Sequence, residues 1–239
     1  MHPKKIPLLP PSDLARITMR PREDQKRLLS GVRSAKVPYK YTPLRKCMSD
    51  IFQAASPLFP ARVMTPWALV ARKIIKNAES RREAIENLRI AKILYNLATT
   101  ECDHVVEIDV DGLKLGLDRH LKDIGGRLTF WSPYVLYEGE RSFVTFLELR
   151  RKGGCETQAA QKFVFSMMHH SIREADPDLA DVELAIAYMP GLKRRSLTLL
   201  EPKTTEFMSI DELQDRVEFT YNTWFEVLFE REQKKRAAG

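Results

Sequence analysis

Cysteine is scarce in this chain. Cys47, Cys102 and Cys155 are the three in 239 residues; they are too far apart for a CxxC zinc pair and odd in number for a disulfide framework, so a reducing cytoplasm is the expected setting. Long apolar runs are also missing. None approaches the ~20 residues that cross a bilayer, and the opening MHPKKIPLLPPS, basic but interrupted by prolines, is too short an apolar stretch for a signal peptide. The expectation is a soluble protein with no membrane partner. No Walker A, GxGxxG, GxSxG or HExxH pattern occurs, which counts against ATPases, dinucleotide enzymes, serine hydrolases and zincins. Internal repeats and low-complexity segments are absent too.

What is present is an ordinary globular composition with an uneven charge. Apolar residues at 44% and charged ones at 30% suit a chain long enough to bury a substantial core. Residues 1 to 100 carry 20 Lys plus Arg against 7 Asp plus Glu, and the other 139 carry 19 against 25; the nets of +13 and −6 sum to +7. The front half therefore invites an anionic partner, nucleic acid before acidic lipid. The plainer alternative is that surface Lys and Arg merely solubilise.

Three regions follow from the punctuation. Residues 1–41 form a basic, Pro-rich arm, expected to be mostly extended on the surface, with one or two short helices such as Pro21 to Leu29 closed by Gly31. Residues 42–102 read as three helices packed on the core: Thr42-Pro43 and Thr65-Pro66 offer a capping hydroxyl followed by proline at the first helical position, and Ser80 with Glu83 makes a capping box. Residues 103–239 read as an α/β core with a C-terminal helix. HVVEIDV and LKLGLDRHL joined by Asp111-Gly112 read as a hairpin, and GRLTFWSPYVLY and SFVTFLELR as further strands. Residues 143 to 149 are apolar on both faces, as an interior strand is. Thr157 caps a helix starting QAAQKFVF; DVELAIAYM and RRSLTLLE return as strands; Ser209 with Glu212 caps the last helix. This order predicts an α/β (α+β) fold, a central mixed β-sheet flanked by helices and preceded by a three-helix region.

Strand alternation puts Val144, Phe146, Glu148, Arg150 and Lys152 on one face. A carboxylate and a guanidinium in so apolar a strand are costly unless paired or employed; the bland pairing is a strand-end ion pair with Asp118 or with each other. Gly116-Leu117-Asp118, then Glu148-Leu149-Arg150, then Gln161 to Phe165 (QKFVF), in that order and on those elements, resemble the PD-(D/E)XK nuclease superfamily, its RecB-like branch, over about residues 85 to 200. The resemblance implies a DNA-acting protein with a phosphodiester-hydrolysing site of Asp118, Glu148, Arg150 and Gln161. Asp118 and Glu148 would hold Mg²⁺ or Mn²⁺ with the Leu149 carbonyl, and the ion would activate a water. Glu86 on an upstream helix is a further candidate, against a plain surface role as partner of Arg89. Two positions depart from the pattern. Arg150 replaces a lysine and stays protonated, and Phe165 replaces a tyrosine, so the site reads as degraded for catalysis yet suited to DNA. Arg72, Lys73, Lys76, Arg81, Arg82, Lys92 and Lys152 are the candidate phosphate contacts. His169 and His170, ~100° apart on an α-helix, read as one core and one surface histidine rather than as ligands, and His120 is a minor metal candidate. The competing reading is a non-catalytic nucleic-acid-binding or protein-assembly module with a protein partner or homo-oligomer.

Overall fold

Five strands lie in chain order across one mixed sheet: β1 (His104–Glu107), β2 (Tyr134–Glu138), β3 (Arg141–Glu148), β4 (Glu183–Tyr188) and β5 (Thr198–Leu200). The computed structural model describes residues 6–32, 41–54, 65–117, 121, 128–130, 132–151, 153–191, 194–203 and 206–237. Neighbouring strands are antiparallel except β3 and β4, which run parallel with Phe146 opposite Ile186. A parallel pair needs a long crossover, and helix α7 (Gln158–Met168) supplies it.

Alternation along β3 and β4 explains the continuous apolar run. Val144, Phe146, Leu184 and Ile186 face one core, while Phe143, Ala185 and Ala187 face another. The first core is closed by α1 (Pro11–Thr18), α2 (Arg22–Gly31), α7 and α8 (Ile210–Ala237), through Leu14, Ile17, Leu29, Phe163 and Trp224. The second is closed by α3 (Thr42–Arg45), α4 (Met48–Phe52), α5 (Trp67–Asn77) and α6 (Arg81–Asn96), through Leu44, Phe52, Ile74 and Leu94. A sheet covered on both faces has no solvent side, so its strands lose the polar alternation. The mixed sheet flanked by helices is the architecture that the order of elements implied. No helix among the described residues is long and apolar enough to cross a membrane.

Several local expectations hold. Ser209 and Glu212 form the full reciprocal box, with Glu212 N–H donating to Ser209 Oγ (3.2 Å) and Ser209 N–H to Glu212 Oε2 (2.8 Å). Thr157 Oγ1 accepts from Ala160 N–H at 3.2 Å, and Ser80 Oγ from Glu83 N–H at 3.2 Å. The two Thr-Pro signals behave differently. Thr42 lies inside α3 and Pro66 stands at the N-cap of α5, neither helix having a side-chain cap. The single helix expected from Thr42 is two short ones, α3 and α4, and α4 ends at Gln53 with φ 48°.

Two larger expectations are corrected. Asp111-Gly112 does not close a hairpin, because β1 pairs with β2, His104 opposite Tyr137; within the described part of the second run Leu113 makes one bridge, to Leu128. The run 126–137 also shortens, since β2 starts only after Pro133, a residue with no N–H for the ladder. Over its described residues, 6–32, the N-terminal arm is not a surface appendage. Leu14, Ile17 and Leu29 are fully buried, Trp224 Nε1 donates to Pro7 O (3.1 Å), Leu9 N–H to Tyr221 Oη (3.2 Å), and the Arg231 guanidinium to the carbonyls of Leu29, Ser30 and Val32 at the end of α2. Proline and Lys/Arg content hid three apolar anchors whose partner is α8.

Candidate functional site

The last residue of β3 is Glu148, on the face turned toward α1 and α7, and its side chain is fully buried. Oε1 accepts the Arg150 N–H at 3.0 Å; Oε2 is buried and has no hydrogen bond of ordinary geometry, although Cys155 lies alongside. Burial pushes this carboxyl above the usual carboxylate range, with the Arg150 guanidinium and the Arg150 and Cys155 hydrogen bonds opposing it. Burial likewise pushes the Cys155 thiol far up, helped by the Glu148 carboxylate. The Gly-Gly break has a steric cause at its second residue: a Cβ on Gly154 would fall 2.4 Å from Glu148 Cδ.

Arg150 and Arg151, which follow the strand, are committed to structural partners. Arg150 Nη2 meets Asp13 Oδ1 at 2.9 Å, and that carboxylate also takes Arg16 Nη2 at 3.0 Å; α1, from the supposed arm, supplies an acid from outside the strand. Arg151 turns to the other face and pairs with Glu86 on α6. Glu86 is 4% exposed and also binds Arg195, Nη2 to Oε1 at 2.7 Å, so it is a buried ion-pair centre and not a surface partner of Arg89. The Leu149 carbonyl, expected as a metal ligand, accepts from Arg195 Nη1 (2.9 Å) and from Tyr41 Oη (2.8 Å). Both of its lone pairs are thereby used.

Gln161 Nε2 donates to the Cys155 carbonyl at 3.0 Å, tying α7 to the loop before it. Asp118, His120 and Lys152 lie outside the described residues. The remaining phosphate candidates sit on the α5–α6 pair, all exposed. Lys73 Nζ meets both oxygens of Asp50 (2.7 and 2.9 Å), and Lys92 Nζ stands over the rings of Trp67 and Tyr95 at 4.8 and 5.1 Å. Arg72, Lys76, Arg81 and Arg82 complete this basic surface.

A cluster that the α-helical reading dismissed lies where α7 ends. Residues His169–Arg173 form a π turn, which puts more residues in a turn and brings neighbours closer in angle than in an α-helix. Both histidines are half-buried and both reach Glu174: His170 Nδ1 to Oε2 at 2.6 Å and His169 Nε2 to Oε1 at 3.2 Å. The regular 100° spacing gave no hint of this. Beside it, a cavity of about 200 Å³ lies between α7 and the segment before α8, lined by Gln158, Gln161, Lys162, Phe165, Pro202 and Phe207 among others.

Comparison with known proteins overturns the nuclease resemblance. A family model described as the sliding clamp-binding bacterial toxin SocB matches residues 12–234. The DNA replication inhibitor toxin SocB of Caulobacter vibrioides (strain NA1000 / CB15N) is 26% identical over 233 residues, covering 97% of this chain and 94% of that protein. No solved structure matches. The match takes in the helical half and the sheet together, whereas the PD-(D/E)XK likeness rested on three short motifs, and of these Glu148, Arg150 and Gln161 are engaged inside the fold. The nuclease, hydrolase and magnesium expectations lose their footing with it. The chain belongs to the SocB family of sliding clamp-binding bacterial toxins.

Proposed function

We propose that this protein is a toxin that seats itself on the sliding clamp and thereby inhibits DNA replication, by occupancy and without cutting DNA. The observation that carries the reading is the family match, which runs from residue 12 to residue 234 and so includes both helical layers and the sheet. The geometry agrees in kind. Arg150 and Arg151, just after β3, are paired with acids from two helices, Asp13 and Glu86, as in a scaffold, and the protein-assembly alternative is the better description of the chain. The excess of +13 over the first hundred residues suits a protein held beside DNA. A sliding clamp encircles the duplex, so a protein docked on it faces phosphate, and cations on α5 and α6 would add a salt-sensitive attraction.

Occupancy and cleavage separate on stoichiometry. Titrating the purified protein into the sliding clamp of the same bacterium by calorimetry is expected to give a saturable complex. A reconstituted primer-extension reaction should be inhibited in proportion to the ratio of protein to clamp, and extra clamp should restore it. Plasmid incubated with the protein and Mg²⁺ or Mn²⁺ should remain intact. Inhibition that extra clamp does not relieve, or no complex at micromolar concentrations, would overturn the proposal.

A further inference from the structure

Two imidazoles and one carboxylate meet on the π turn that ends α7. His169, His170 and Glu174 each bring one ligand atom into a cluster whose members all lie within 4.8 Å of one another. Hydrogen bonding fixes the chemistry of His170. Its Nε2 is 2.7 Å from the Met208 carbonyl oxygen, which only accepts, so Nε2 carries a hydrogen and donates it. In the neutral ring Nδ1 is then the lone-pair nitrogen, and it points at Glu174 Oε2 from 2.6 Å, again an atom that only accepts. Two lone pairs are not held that close without a cation between them. Anchoring one ring nitrogen on a backbone carbonyl while the other faces the site is how metal-ligating histidines are oriented. His169 Nε2 approaches the second oxygen of the same carboxylate, and its ring is stacked on Phe207 with centroids 4.3 Å apart. Both rings are thus held in place from behind.

We propose that His169, His170 and Glu174 form a binding site for a divalent transition metal of the zinc class. Two imidazoles and a carboxylate, with a fourth position left to water, is a donor set that zinc uses, and it disfavours Mg²⁺ and Ca²⁺, which take oxygen ligands. Bonds of ~2.0–2.2 Å to a tetrahedral ion place ligand atoms roughly 3.3 Å apart. The 2.6 Å pair therefore has to open, and Glu174, 49% exposed, is the member free to move. The ion would do structural work. His169 and His170 close α7, while Phe207 and Met208 lead into α8, so a filled site fastens together two helices of the layer on one face of the sheet. This inference is independent of clamp binding.

The alternative occupant is a proton, which would make an imidazolium–carboxylate pair in the same gap. Full-length protein stripped with EDTA is titrated with Zn²⁺ by calorimetry and with Co²⁺ by visible absorption, with thermal melts alongside. One saturable equivalent of Zn²⁺, a ligand-field band with Co²⁺, a raised melting midpoint and indifference to Mg²⁺ are expected. Glu174→Gln and His169→Ala should each weaken uptake by about tenfold or more, while His104→Ala leaves it unchanged. Glu174 is exposed, so Glu174→Gln should keep the wild-type far-UV circular dichroism and decides the matter if His169→Ala does not fold. No saturable uptake, or uptake that Glu174→Gln does not alter, would overturn the proposal and leave the proton in place.

Discussion

Removing the carboxylate of Glu86 should unsettle this protein more than removing any charge on its surface. Its side chain is 6% exposed and that of Arg195 4% exposed, and the two are 2.7 Å apart. In Glu86→Ala the Arg195 guanidinium stays buried with, among the described residues, the Leu149 carbonyl and the Tyr41 hydroxyl as its hydrogen-bond partners, whereas Arg151, 37% exposed, can turn to water. Stripping one member from a buried ion pair costs about 3–5 kcal/mol. With an unfolding entropy of ~2.1 cal/mol/K per residue, a chain of 239 residues loses roughly 2 °C for each kcal/mol, so the melting midpoint should fall by roughly 6–10 °C. Replacing both partners, Glu86→Met with Arg195→Met, removes the stranded charge and should recover most of that loss. Urea unfolding followed by far-UV circular dichroism at pH 7, with the slope unchanged between variants, measures all three. A single variant within 1 kcal/mol of wild type, or a double variant as unstable as the single, would refute the assignment of Glu86 as the centre of a buried charge network.

Two further perturbations bear on the end of β3. Glu148 is a carboxyl whose folded pKa lies above its unfolded one, so the stability it contributes is complete below the ordinary carboxylate range and is lost as pH rises through the raised value. Glu148→Gln has no such loss, and its melting midpoint should gain on wild type as pH rises from 4 to 8; parallel pH profiles would refute the raised carboxyl. Gly154→Ala should destabilise by about 1–3 kcal/mol from overpacking, because the new Cβ would lie 2.4 Å from Glu148 Cδ and Oε2. Glu148→Ala in the same chain should relieve that clash, and strictly additive losses in thermal melts would show that the strain lies elsewhere.

Short-range chemistry was the legible part of this sequence. The box at Ser209, the Ser80 and Thr157 caps and the two-faced apolar strand depend on residues a few positions apart, and each is found; the carboxylate of Glu83 turns to the Glu79 N–H, so Ser80 has a cap without the reciprocal bond. What needed distant partners was misread. Asp111-Gly112 is good hairpin chemistry, yet β1 found its neighbour in β2, beyond the turn. Arg150 looked like part of a site because its acid, Asp13, comes from an element 137 residues away, counting 150 − 13, and Glu86 looked like a surface residue because its partner Arg151 lies 65 residues further along the chain, counting 151 − 86. The family likeness failed for the same reason. Three motifs of three to five residues fit many sheets, and the residue pattern of nearly the whole chain, which the family match covers from 12 to 234, carries more information than any of them.

The interlock between the first thirty residues and α8 bears on how the chain is made. Pro7, Leu9 and Leu29 wait for Trp224, Tyr221 and Arg231, about 200 residues later, and at ~5–20 residues per second of synthesis that delay is about 10–40 s. Through that interval a nascent chain on the ribosome exposes Leu14, Ile17 and Leu29 without their cover, a ready target for chaperones and proteases. The protein can reach its finished shape only after α8 has been made.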